Sequence, residues 1–375
     1  MKDIRMVDLQ GQYQNIKNDI DSAIAAVIGK TDFINGAEVK QFQHNLEQYL
    51  GVKHVIPCAN GTDALQIALM AFALKPGDEI ITTNFTFIAT LEVIALLGLK
   101  PVIADVNPNT FTISPESIRK LITPRTKIIL PVHLFGQCAE MEEIMQLAGK
   151  YNLKVVEDGA QSLGAEYSFP NGYKAKAGTM GEFGTTSFFP SKNLGCYGDG
   201  GALFTNNDSL AELARSIANH GMKVRYHHDH VGINSRLDTI QAAILNIKLK
   251  HLNAYNHARQ KAAAFYDKAF SESKQLGIPA RNSLSTHIFH QYTLLIKDGN
   301  RDALKNFLET KGIPAMIYYP VPLHVQKAYQ NLGYKEGDFP ITEHLCKTVI
   351  SLPMHTELEE DQLHYITQTV LSFFN

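Results

Sequence analysis

Lys192 is the side chain whose setting in this 375-residue sequence most invites covalent chemistry. It stands in Thr185-Thr186-Ser187-Phe188-Phe189-Pro190-Ser191-Lys192-Asn193, after an apolar run and among hydroxyl, small and aromatic residues. An amine that must form and exchange imines has to be partly neutral, and burial lowers a lysine pKa that far. A single lysine is far more often a solvated surface charge, so only its setting singles this one out. Asp158 offers a second group, in Val155-Val156-Glu157-Asp158-Gly159-Ala160-Gln161, an apolar strand that ends in acid. A buried carboxylate is costly unless it meets a cation, such as a protonated heterocyclic nitrogen. Capping a following helix is an equal alternative for Asp158.

Cys58-Ala59-Asn60-Gly61-Thr62-Asp63-Ala64-Leu65 opens an amphipathic helix. Gly61 permits close backbone approach, and the free N–H groups of a first turn point at an anion. Thr62 adds a hydroxyl, and Ser187 adds another from the lysine strand. Taken alone, Asn-Gly-Thr is an ordinary cap. Phe87 stands at a strand-to-helix junction, where a ring is usually core but can also lie against a flat ligand. An amine, a carboxylate, an aromatic face and a phosphate cradle are together what pyridoxal phosphate asks of a protein.

The elements that must position these groups alternate. Strands are expected over 78–82, 101–105, 127–132 and 153–157, and helices over 63–74, 88–97, 114–122 and 141–151. This pattern predicts an α/β fold, with a mostly parallel central sheet flanked by helices on both faces. Ligands then bind beyond the carboxyl ends of the strands. After Asp238 a helix is expected over 239–270, uninterrupted by proline or glycine and leading into a second part. That part holds a strand over 290–296 and helices over 301–311 and 359–374. The division expected is a large domain, 1–250, and a smaller C-terminal α+β domain, 251–375.

Composition narrows the classes. Net charge is −2 with histidines neutral, and no basic stripe favours nucleic acid. Cys58, Cys138, Cys196 and Cys346 show no paired spacing and read as small buried hydrophobes. Residues 1–5 carry charges where a secretion signal would be apolar, and no apolar run is long enough for a membrane span. A soluble, cytoplasmic protein is expected. His227, His228 and His230 with Asp229 lack zinc-site spacing, so no metal is expected; a loop touching substrate and a plain surface loop stay open.

Taken together, Glu157-Asp158-Gly-Ala-Gln161, Ser187-Phe-Phe-Pro-Ser-Lys192-Asn-Leu-Gly, Gly198-Asp199-Gly200-Gly201 and Asn234-Ser235-Arg236-Leu237-Asp238 resemble the DegT/StrS family of sugar-nucleotide aminotransferases. The likeness runs in order from Val7-Asp8-Leu9 to Ser351-Leu352-Pro353. It implies the type I-like fold of pyridoxal-phosphate-dependent aminotransferases. Lys192 would then be the catalytic Schiff-base lysine. Asp158 would pair with the ring nitrogen, Gln161 bond the ring hydroxyl, and Phe87 stack on the ring. Gly61, Thr62 and Ser187 would hold the phosphate. A homodimer with shared sites is implied, in which Asn234 reaches the neighbouring subunit's phosphate and Arg236 lies near the donor carboxylate.

Dehydrating relatives resemble this family but carry histidine where Lys192 stands, so transamination is favoured. The longer hairpin between Tyr167 and Gly184 departs from many members. Leu194 to Gly201, and Arg225-Tyr226-His227-His228 followed by Val231-Gly232-Ile233-Asn234, look like the 3-aminotransferase branch. That resemblance implies transfer of an amino group from L-glutamate to C3 of a nucleotide-linked keto sugar. A dTDP-3-keto-6-deoxyhexose and a UDP-3-keto-2-acetamido uronic acid both remain open, for surface polysaccharide (including lipopolysaccharide) biosynthesis. Tyr319, His324 and His228 would face the sugar. A sugar-nucleotide dehydratase or lyase, and a non-catalytic regulatory protein of the same fold, are the competing readings.

Overall fold

The computed structural model describes residues 2–374. A seven-stranded sheet runs in the order His54–Cys58, Gly201–Thr205, Phe183–Ser187, Lys154–Asp158, Thr126–Leu130, Glu79–Thr83 and Lys100–Ala104. The last five of these are mutually parallel, and Gly201–Thr205 runs antiparallel to both of its neighbours. His54–Cys58 therefore shares the direction of those five, and its carboxyl end lies at the same edge.

Both faces of the sheet are covered, which is why its strands read as near-continuous apolar runs. Ile80, Ile128, Leu130 and Val156 pack with the helices Gly61–Met70, Ala89–Leu96 and Asp208–Ala218. Ile81, Ile129 and Val155 point the other way, toward Pro115–Leu121 and Met141–Tyr151. The period of two along each strand thus splits adjacent isoleucines between two cores. A further cluster joins Phe42 and Leu46 of Ala37–Leu50 to Val55, Phe204 and Leu245.

A smaller antiparallel sheet, Leu276–Gly277, Tyr292–Ile296 and Val349–Leu352, carries the helices Leu252–Phe270, Arg301–Thr310 and Glu360–Ser372. The amino-terminal segment packs here. Ile4 joins this core, and Gln362 Nε2 donates to the Lys2 and Asp3 carbonyls, each at 3.3 Å.

The single helix expected over 239–270 is two helices, Thr239–Leu249 and Leu252–Phe270. At the break Lys250 N donates to Ile247 O at 3.2 Å and His251 N to Lys248 O at 3.0 Å. Neither proline nor glycine causes it; the first helix packs on Ala37–Leu50 and Lys17–Lys30, the second on Glu360–Ser372. Three helices before residue 54 were not anticipated. The expected hairpin is present as Glu166–Ser168 paired with Lys174–Lys176. No helix among the described residues is long and apolar enough to cross a membrane.

Candidate active site

A cavity of about 480 Å³ opens at the carboxyl edge of the large sheet and reaches the start of the small one. Asp158 ends its strand on the cavity floor, with 5 % of its surface exposed. Thr90 Oγ1 donates to Asp158 Oδ2 at 2.7 Å, and Ala160 N donates to Oδ1 at 3.1 Å. Two neutral donors fix the carboxylate, while no cation among the described residues forms a salt bridge with it. A nearly buried anion so arranged is electrostatically open to a positive group.

Lys192 lines the same cavity. Its loop is built by short-range closure. Lys192 N donates to Phe189 O at 2.8 Å, Cys196 N to Phe188 O at 2.8 Å, and Phe188 N to Gly200 O at 2.7 Å. Gly195 makes the closure possible, since a Cβ there would stand 2.3 Å from Pro190 O. Lys192 is half-buried against the cavity, and its loss of solvation pulls its pKa down to about 8, against a smaller upward pull from Asp158.

Gly61 begins the helix Gly61–Met70 at the carboxyl end of the first sheet strand. Asn60 caps it, accepting from Asp63 N at 2.8 Å. A Cβ on Gly61 would meet Ser187 Cβ at 2.8 Å, so the helix start and the end of the lysine strand meet only because residue 61 is glycine. Thr62 and Ser187 line the cavity beside it. Free N–H groups at a helix start and two hydroxyls make a site for a dianion. Phe87 is 57 % exposed, and its ring lies at the cavity 6.4 Å from that of Tyr319. Gln161 accepts from Phe135 N at 2.8 Å and donates to the Tyr319 hydroxyl at 3.0 Å.

The cavity thus brings together Gly61, Thr62, Phe87, Asp158, Gln161, Ser187, Lys192 and Tyr319. Asn234 and Arg236 line a separate hollow of about 420 Å³, whose wall shares Asp199 with the first. His324 lies outside both. Its ring is buried, with Nδ1 2.8 Å from Asn84 Nδ2 and Nε2 3.2 Å from Glu343 Oε1. His228 is exposed on the hairpin Met222–Val224/His227–His228, its Nδ1 on the His220 carbonyl at 2.8 Å. Sequence reasoning passed over Thr90 and His290, which also line the cavity. A hydroxyl in the first turn after Phe87 was a weak signal for Thr90, and His290 gave none beyond its place before an apolar strand.

Residues 14–371 match the model of the DegT/DnrJ/EryC1/StrS aminotransferase family. The UDP-2-acetamido-2-deoxy-3-oxo-D-glucuronate aminotransferase of Pseudomonas aeruginosa is 44 % identical, over 97 % of this chain and 98 % of its own. A Geobacillus stearothermophilus protein named pleiotropic regulatory protein is 45 % identical over 99 % of this chain and 98 % of its own. The crystal structure of S. venezuelae DesV with a ketimine intermediate matches with a TM-score of 0.95 at 35 % identity. That match covers 100 % of this chain and 99 % of the other. The fold is that of the pyridoxal-phosphate-dependent aminotransferases. This chain belongs to the DegT/DnrJ/EryC1/StrS aminotransferase family.

Proposed function

We propose that this enzyme uses pyridoxal phosphate to move an amino group from L-glutamate to C3 of a nucleotide-linked 3-keto sugar. The observation that carries the reading is the pairing of Asp158 and Lys192 across one cavity, the acid lacking a cation and the amine lowered to about 8. The cradle between Gly61 and Ser187, which a Cβ would fill, fits the cofactor's phosphate. The cavity's size suits a ring and part of a sugar. The sugar is taken from the Pseudomonas relative's name and the sequence likeness; a UDP-linked uronic acid is favoured over a dTDP-deoxyhexose by that relative's higher identity, 44 % against 34–37 % for three relatives named as dTDP-3-amino-sugar transaminases.

When bound, the cofactor supplies a carbonyl carbon for the amino group and a ring that draws electrons from the adjoining C–H bond. Asp158, held by two neutral donors and by no salt bridge, would pair with the protonated ring nitrogen. Gly61, Thr62 and Ser187 would bind the phosphate, and Phe87 would cover one ring face. Gln161, oriented by Phe135 N, would hold the ring hydroxyl with Tyr319 behind it. Lys192, partly neutral near pH 8, would in each half-reaction move a proton between the substrate carbon and the cofactor's carbonyl carbon: off the donor's α-carbon in the first, and onto the sugar carbon in the second. Glutamate leaves as 2-oxoglutarate, and the keto sugar leaves with the amino group.

We infer further that two copies share their sites, with Asn234 and Arg236 of each completing the other's cavity. Their hollow adjoins the cavity at Asp199 rather than opening into it, which supports that reading. A purely regulatory role is favoured by names alone, that of the Geobacillus relative and that of a Saccharopolyspora erythraea protein called a sensory transduction protein.

The test is the visible spectrum of the purified chain with pyridoxal phosphate, before and after L-glutamate. A yellow band that bleaches with glutamate, and returns on adding a UDP-3-keto-2-acetamido uronic acid, is the expected result. Lys192→Ala should retain the cofactor through its phosphate but lose turnover. A wild-type chain that forms no band, or a Lys192→Ala variant with near-normal turnover, would sink the assignment.

A further inference from the structure

Phe87 and Tyr319 both line the cavity, with ring centroids 6.4 Å apart and planes inclined by 42°. Phe87 is 57 % exposed, so packing alone cannot fix its ring, and its place depends on how the chain just before it is anchored. That anchor is Asn84, buried directly after the strand Glu79–Thr83. Both its backbone groups and both its amide atoms are engaged. Asn84 N donates to Ala104 O at 3.1 Å, which continues the sheet. The rest meet the segment that follows Tyr319. Asn84 O accepts from Leu323 N at 3.4 Å, Oδ1 accepts from His324 N at 3.1 Å, and Nδ2 stands 2.8 Å from His324 Nδ1.

Chemistry sets the direction of this joint. A backbone N–H can only donate, so the amide atom that His324 N meets is the oxygen, and the atom facing the ring is the NH2. His324 Nδ1 is therefore the acceptor, and in the neutral ring the hydrogen sits on Nε2. Nε2 lies 3.2 Å from Glu343 Oε1 but out of line for a hydrogen bond, so Asn84 is the partner that orients the imidazole. Both residues are buried, and parting them would leave an amide and a ring nitrogen without water. Contacts further along run the same way. Asp105 accepts from Ile341 N at 3.1 Å and Thr342 N at 3.0 Å, and the Tyr334 hydroxyl accepts from Ile103 N at 3.2 Å.

We propose that Asn84 and His324 are positioning residues for the cavity: their pairing locks the loop that ends in Phe87 to the segment that bears Tyr319, and so fixes the space between the two rings. The inference rests on the reading given under Proposed function, in which Phe87 covers one face of the cofactor ring. An exposed aromatic positions a flat ligand only as firmly as the loop beneath it is held.

The test uses the full-length chain, first without cofactor. The sequence has no tryptophan, so Phe87→Trp places a single emitter on the loop. His324→Leu keeps a branched side chain but removes the acceptor, whereas His324→Asn puts an amide oxygen where Nδ1 stands. In the Phe87→Trp background, His324→Leu should raise the acrylamide quenching constant roughly twofold or more, and His324→Asn should bring it back. Asn84→Ala breaks the same joint from the other side, and adding it to His324→Leu should change little more. With Phe87 restored, His324→Leu should weaken pyridoxal phosphate and pyridoxal by the same factor, roughly tenfold, since ring coverage and not the phosphate cradle is loosened. An unchanged quenching constant in His324→Leu would overturn the proposal, as would equal rises in His324→Leu and His324→Asn. Fully additive effects of the two sites, or an affinity loss confined to pyridoxal phosphate, would do the same. Should the wild-type chain take up no pyridoxal phosphate, the functional reading fails separately, and the quenching comparison still decides the joint.

Discussion

At the scale of single residues, the chemistry proposed here depends on how solvation tunes Lys192. Removing water from the ammonium favours the neutral amine, and Asp158 moderates this without reversing it. Lys192 starts from an ordinary value of 10.5 and is lowered to about 8, so its neutral fraction grows as pH rises through that value. The rate at which added pyridoxal phosphate reacts with the chain should therefore climb up to about pH 8 and then level off. Stopped-flow absorbance across pH 6 to about 10 would show the plateau. A rate still climbing steeply at the upper end would mean an ordinary solvated lysine.

Among the secondary-structure elements, the cradle is a contact between a helix start and a strand end, and Gly61 is its narrowest point. A methyl group at 61 pushes against Ser187 Cβ at 2.8 Å, and both neighbours are anchored in sheet or helix. Overpacking of this kind costs on the order of 1–3 kcal/mol, so Gly61→Ala should weaken pyridoxal phosphate binding roughly tenfold or more. Titration of the cofactor-free chain measures it, with pyridoxal as the control. Pyridoxal lacks the phosphate and should bind the variant and the wild type alike. The strand bearing Asp158 is fastened from its other face by Glu157, which is fully buried. Glu157 accepts from Gly178 N at 2.8 Å, Met180 N at 2.6 Å and Gly181 N at 2.6 Å, and lies 2.8 Å from His133 Nε2. Adjacent acids on one strand thus divide the work: one faces the cavity and the other holds the turn beneath it.

For the whole molecule, the site spans two sheets, and on the reading proposed here two chains. His290 and Gln291 lead into the small-sheet strand Tyr292–Ile296, while Asp158 and Ser187 end large-sheet strands. Shared sites predict complementation. Lys192→Ala and Asn234→Ala should each be nearly inactive. Mixed and allowed to exchange subunits, they should regain up to about a quarter of wild-type activity, because half of the dimers are mixed and each has one intact site. Activity that never rises on mixing would place Asn234 within its own chain's site, or outside any site.

The amino-acid sequence alone determined the alternation of strands and helices, because a sheet covered on both faces needs uninterrupted apolar runs such as 127–132. It also pointed to walls of the cavity, since Asp158 lies just beyond an expected strand and Ser187 and Lys192 follow an apolar run, where such a sheet opens. Only the tertiary structure decided which side chains meet across the chain. Thr90 finds Asp158, 68 residues away, and Asn193 finds His290, 97 residues away; neither pairing leaves a local pattern. The break at Lys250–His251 was equally invisible, because helix propensity is continuous there and packing against different partners sets the bend. His324 shows the same limit from the other side: a motif can mark a segment, but whether its ring turns to the cavity or to Asn84 depends on the neighbours that folding brings. Local sequence encodes local geometry, and long-range contacts are settled by which surfaces can be buried together.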